Sequence, residues 1–224
     1  MAYEFLSDEQ VRRYGVFVAD PTPEELERFF FLDQQGLALA RKKRRRHNRL
    51  GWADQWGTAR MLGTFLEDPA GVPRVVVDYV ADQLGIEDAS CIKEYAERGP
   101  TQYEHTGEIR DLLGFREFAD AETEIAAFVA SRVAKTRDSR RELFDRAALR
   151  LVEERVLLPG ITPLTRLVAE VQRDTLGQIN AAVVAPTPVH TRRALIETLE
   201  VPGGQRVSTL EWMRTPVTKL SGAG

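Results

Sequence analysis

Apolar residues return every three or four positions along almost the whole chain, and the gaps between these runs carry helix-start chemistry. Ser7-Asp8-Glu9-Gln10, Thr22-Pro23-Glu24-Glu25, Thr101-Gln102-Tyr103-Glu104, Ser139-Arg140-Arg141-Glu142 and Ser208-Thr209-Leu210-Glu211 each place a hydroxyl three residues before Glu or Gln. That is the spacing of a capping box, in which two side chains satisfy backbone N–H groups reciprocally. The runs that follow read as buried helix stripes: Leu26, Phe29 and Phe30; Trp52, Trp56, Ala59 and Leu66; Val76, Val77, Val80 and Leu84. Further along come Ile125, Phe128 and Val129, then Leu143, Phe144, Leu151 and Val152, then Leu164, Leu167 and Val168. Period-two alternation is lacking, and the β-branched run Val75-Val76-Val77 lies inside a helical pattern. The expected fold is all-α: successive small helical bundles with helix-turn-helix-like modules. The expected divisions are 1–90, 91–158 and 159–224, the last a helical segment leading toward further polypeptide.

The 224 residues suffice to bury a core without staples. A single cysteine, Cys91, excludes an internal disulfide and suits a reducing compartment. With His47, His105 and His190 far apart, the usual zinc-site spacings are absent. No metal and no cofactor are expected. No run approaches the roughly 20 apolar residues of a membrane helix, and the N-terminus lacks the apolar stretch of a signal peptide. The expected location is the cytoplasm, in association with the nucleoid. Glycine-rich phosphate loops, nucleophile elbows and HExxH are missing. No catalytic residue is assigned, and neither a small-molecule substrate nor a membrane is expected as partner.

Charge is distributed unevenly. Arg41, Lys42, Lys43, Arg44, Arg45, Arg46 and Arg49 place seven cations within nine positions. Subtracting those seven from a net charge of −3 leaves −10 for the rest. An acidic protein with one dense basic block offers a polyanion a single docking place, although such a block also serves as an ordinary solvated helix face. The third helix is expected over 37–46, broken at His47-Asn48. The pair of helices around that break is one DNA-binding candidate: Arg49, Gln55 and Arg60 fall off the apolar stripe, where they suit phosphates and base edges. The second candidate pair flanks the turn 114–118 and brings in Thr101, Gln102, His105 and Arg116. A third cationic stretch, 132–150, includes Arg137, Arg140 and Arg141.

The order of several motifs resembles the large transposases of the Tn-three family of replicative bacterial transposons. The motifs are Phe5-Leu6-Ser7-Asp8-Glu9-Gln10 with Arg13-Tyr14-Gly15, and His47-Asn48-Arg49-Leu50-Gly51 with Leu62-Gly63-Thr64-Phe65-Leu66. Tyr95-Ala96-Glu97-Arg98, Glu104-His105 and Gly114-Phe115-Arg116 follow. Leu157-Leu158-Pro159-Gly160-Ile161-Thr162 with Arg166-Leu167-Val168 is the most specific. The resemblance implies the N-terminal part of a protein several times longer, whose three-carboxylate, metal-dependent catalytic domain is not found here. It also implies a DNA-binding region that recognises the terminal inverted repeats of a transposon, with double-stranded DNA as partner. By itself the chain is not expected to be an enzyme. The alternative is a helical interaction module for self-association, that is, dimerisation or paired-end assembly, with weak DNA contact.

Overall fold

The computed structural model describes residues 5–66, 68–97, 99–203 and 205–214. It divides into a unit of residues 1–173 and a unit of residues 174–224. The described residues form helices and no strand; one isolated parallel bridge joins Arg116 to Val156.

Three capping boxes form as their spacing dictates. Ser7 starts α1 (Asp8–Arg13), Thr22 starts α2 (Pro23–Glu25), and Ser139 starts α9 (Arg140–Glu153), each reciprocated by the Gln or Glu at the third position. α2 runs directly into a π-helical turn, Leu26–Phe30. α3 (Gln34–Arg41) is capped by Asp33, whose carboxylate accepts from Gly36 N at 2.7 Å. α4 (Arg46–Leu62) and α5 (Arg74–Leu84) end on left-handed Gly63 and Gly85. α6 (Ile92–Ala96), α7 (Gly99–Leu113), α8 (Phe118–Lys135) and α10 (Ile161–Val184) complete the elements that start in the first unit. α11 (Val189–Leu199) and α12 (Thr209–Arg214) belong to the second.

Several expected boundaries move. The third helix stops at Arg41, five residues short, and α4 begins at Arg46. Arg45 adopts an extended backbone (φ −114°, ψ 149°), so the break falls inside the basic block and not at His47-Asn48. Thr101 lies within α7 and does not start it, and Glu117 precedes α8.

Two apolar clusters fill the first unit. One centres on α4, which packs against α3, α5, α6, α7 and the π-helical turn. It gathers Phe30, Leu50, Trp52, Val76, Val80, Cys91, Tyr95 and Ile109. The expected limit between residues 90 and 91 falls inside this cluster. The other joins α8, α9 and the start of α10 through Ile125, Val129, Leu143, Phe144, Leu151, Leu164 and Val168, with Leu6 from the N-terminal segment. Main-chain bonds tie the two together. Leu158 N donates to Gly63 O at 2.9 Å, Arg116 N donates to Arg155 O at 2.9 Å, and Leu157 N donates to Arg116 O at 3.0 Å. Tyr14 Oη donates to Pro159 O at 2.9 Å. Val152, expected in the core, is 38% exposed, because the face of α9 that is buried carries Leu143, Phe144, Ala147 and Leu151.

Candidate nucleic-acid interface

The basic block is a bend between two helices. Arg41 closes α3, residues 42–45 cross over, and Arg46 opens α4. Because a helix turns about 100° per residue, a continuous helix would have scattered these six cations around its circumference. The bend instead presents Arg41, Lys42, Arg44 and Arg45 to solvent, without an ion-pair partner among the described residues. Arg46 is exposed and reaches Asp88 only at 4.0 Å. The Asp88 carboxyl is held below its ordinary range chiefly by hydrogen bonds from the Ser90 hydroxyl and amide, with the Arg46 charge adding a smaller part. No side chain caps α4. Its first N–H groups and the positive end of its dipole therefore stand beside the free cations, an arrangement that attracts anions.

The rest of the block is structural. Lys43 pairs with Glu108 and lies 5.5 Å from the centroid of the Trp52 ring. Glu108 also accepts from Trp52 Nε1 at 3.2 Å. Arg49 Nε donates to Lys43 O at 2.9 Å, which ties the crossing down from α4. His47 is buried, with Nδ1 2.9 Å from Glu94 Oε2, and Asn48 is half-buried. Gln55 is 1% exposed, so it presents no atom to a base edge. α4 has neighbours on every side, and a position off the apolar stripe is therefore still interior. Arg60, half-buried, donates to Arg28 O at 2.8 Å and to Phe31 O at 3.4 Å.

The second pair of helices offers less free charge. His105 is buried, stacked on Tyr95 with ring centroids 5.6 Å apart, and its Nδ1 lies 3.2 Å from Tyr95 Oη. Burial, reinforced by the charge of Lys43, lowers the His105 pKa to about 4, so the ring is neutral and faces the core rather than DNA. Gln102 Nε2 donates to Tyr95 O at 3.0 Å, and Thr101 is half-buried. Arg116 is engaged by both oxygens of Glu124 at 3.1 and 3.0 Å. In the third stretch Arg132 pairs with Asp138 at 2.7 Å. Arg140 binds Gln172 at 2.8 Å and lies over the Phe5 ring, while Arg141 donates to Phe5 O at 3.3 Å. Arg137 is exposed and has no ion pair among the described residues. The structure thus gathers unpaired positive charge at 41–46 and leaves the other sites mostly occupied internally.

Sequence spacing gave no hint of a further grouping. Arg28, Arg60 and Arg155, from three separate segments, line one cleft. Among the described residues no group of three or more His, Cys, Asp or Glu side chains could hold a metal ion, and no helix is long and apolar enough to cross a membrane. Cys91 is buried, and burial raises its thiol pKa, as befits a small apolar core residue.

These observations define an all-helical chain with one exposed cationic bend at a helix N-terminus. It belongs to the family described as "Domain of unknown function (DUF4158)", which matches residues 5–171. The chain is 37% identical over 225 residues to the transposase for transposon gamma-delta of Escherichia coli, covering 99% of this chain and 22% of that protein. It is 28% identical over 201 residues to the transposase for transposon Tn501 of Pseudomonas aeruginosa, covering 89% and 20%. It is 26% identical over 190 residues to the transposase for transposon Tn1546 of Enterococcus faecium, covering 84% and 19%. The chain therefore spans about a fifth of the length of the curated relatives it matches, and those relatives are Tn-three family transposases, as the motif order implied.

Proposed function

We propose that this chain is the DNA-binding region of a Tn-three family transposase and recognises the terminal inverted repeats of its transposon. The observation that carries the reading is the set of unpaired cations on the 41–46 bend, beside the uncapped start of α4. Phosphates supply most of the affinity of such a surface, because each neutralised phosphate releases condensed counterions. The region has no catalytic role of its own and delivers transposon ends to a nuclease domain elsewhere in the full protein. It works in the cytoplasm, where the nucleoid is.

The test is a salt series of binding to end DNA and to random duplex, for the native chain and for a Lys42→Gln, Arg44→Gln, Arg45→Gln variant. The native chain should prefer the end by about 10³-fold or more. Each lost phosphate contact should flatten the slope of log K against log salt by about 0.9, so the variant should lose roughly two to three units on both duplexes. Unchanged slope and affinity in the variant would remove the bend from the interface.

A second reading, self-association in paired-end assembly, is favoured by exposed apolar side chains in the second unit. Leu176, Ile179, Val183, Leu195, Ile196 and Leu199 all stand open to solvent. A concentration-dependent rise in sedimentation coefficient without end preference would support it over the first.

A further inference from the structure

Arg28 in the π-helical turn, Arg60 near the end of α4 and Arg155 just after α9 line a cleft of about 420 Å³. Its other walls are Phe29, Gly63, Leu113, Phe115 and Val152, so no carboxylate lines it. Arg60 is fixed by its bonds to the Arg28 and Phe31 carbonyls. The Arg28 guanidinium lies 5.0 Å above the centroid of the Phe29 ring. Arg155 makes one long bond, 3.4 Å, to Leu113 O. Neither Arg28 nor Arg155 is in an ion pair among the described residues.

The backbone at Arg155 makes the grouping more than coincidental. Arg155 has φ 54° and is the only positive-φ residue other than glycine among the described residues. It sits in a Schellman turn: Arg155 N donates to Val152 O at 3.2 Å and Val156 N to Leu151 O at 2.8 Å. The turns after α4, α5 and α7 fill their left-handed positions with Gly63, Gly85 and Gly114. An L-residue there costs of order 1 kcal/mol relative to glycine. The fold carries that strain at the one helix end whose side chain lines an arginine cleft.

We propose that this cleft seats a phosphodiester of duplex DNA, as a second contact separate from the 41–46 bend. The proposal rests on the DNA-binding reading above. Guanidinium forks match phosphate oxygens in pairs, and Phe29, Leu113, Phe115 and Val152 offer an apolar wall to the adjoining deoxyribose. The fourteen residues from Arg46 to Arg60, at about 1.5 Å each, separate the two contacts by roughly 21 Å along α4.

The test is the double variant Arg28→Gln, Arg155→Gly. Glycine relieves the left-handed backbone, so the melting temperature should hold or rise, and lost binding will not be lost folding. The slope of log K against log salt should flatten by about one to two units, with weaker binding to end and random duplexes alike. If the native chain binds DNA and the variant keeps its slope and affinity, the cleft is overturned and the DNA reading stands. If the native chain binds no DNA, that reading fails and the duplex is overturned as occupant. The cleft is then judged by titrating inorganic phosphate against the arginine Nε–H resonances. A shift of the Arg60 signal that the double variant abolishes supports an anion seat, and no shift overturns it.

Discussion

At the scale of single residues, α4 is governed by what its glycines leave out. A Cβ at Gly57 would stand 2.1 Å from the Phe30 ring, and one at Gly51 would stand 2.2 Å from the Tyr95 ring. Both rings are fully buried and have nowhere to move. Gly57→Ala should therefore destabilise the fold by about 1–3 kcal/mol in chemical denaturation, overpacking outweighing the gain in helix propensity. Gly107→Ala in α7, where a Cβ meets nothing within 4 Å, should stabilise by about 0.5–1 kcal/mol. Two buried titratable groups act on stability in opposite directions. The His105 pKa of about 4 lies below its ordinary value of 6.5, so acidification between the two protonates the unfolded chain first and weakens the fold. Asp54 is wholly buried, neither carboxyl oxygen has a hydrogen-bond partner among the described residues, and burial raises its pKa well above 3.8. As pH rises from about 4, the unfolded chain ionises at Asp54 first, and stability falls. Asp54→Asn removes that loss, so the variant's advantage over the native chain should grow between pH 4 and 7, by no more than about 1.4 kcal/mol per pH unit. Denaturation midpoints across that range measure it; an advantage that shrinks with pH would refute the assignment.

At the scale of elements, what the sequence made legible was local. The boxes at Ser7, Thr22 and Ser139 need only a hydroxyl and a Glu or Gln three residues apart, and all three form. The phase of α9 was read correctly at Leu143, Phe144 and Leu151 and wrongly at Val152, one residue around the helix. Leu151→Ala should accordingly cost about 2–5 kcal/mol, whereas Val152→Ala should cost under about 1 kcal/mol, both by urea denaturation. α4 was illegible for a physical reason. Its neighbours come from as far along the chain as Tyr95 and Ile109, and only their arrival turns Gln55, Asp54 and Thr58 into interior residues. The division of the basic block was equally hidden, since no capping side chain marks the extended backbone of Arg45. The cationic surface was readable as composition, but its sorting into free and paired charges depends on Glu108, sixty-five residues from Lys43.

At the scale of the whole molecule, burial is concentrated in the first unit. Among the described residues from 174 onward, Ser208 is the one buried side chain. A chain ending at Arg173 should keep the native melting temperature within about 2 °C in calorimetry, because both apolar clusters lie before that point. A drop of 10 °C or more would show that the later residues support the core. The joint between the clusters has a consequence for how this region tolerates mutation. Leu158 N with Gly63 O, Arg116 N with Arg155 O and Leu157 N with Arg116 O are bonds between main-chain atoms alone. These peptide-group bonds are themselves indifferent to side-chain identity, although Thr64 Oγ1 also donates to Leu158 O at 3.3 Å across the same joint. Substitutions at 116 and 157 that respect local backbone geometry should therefore leave these three bonds in place, whereas Leu158, packed on the second cluster, is held by its side chain as well.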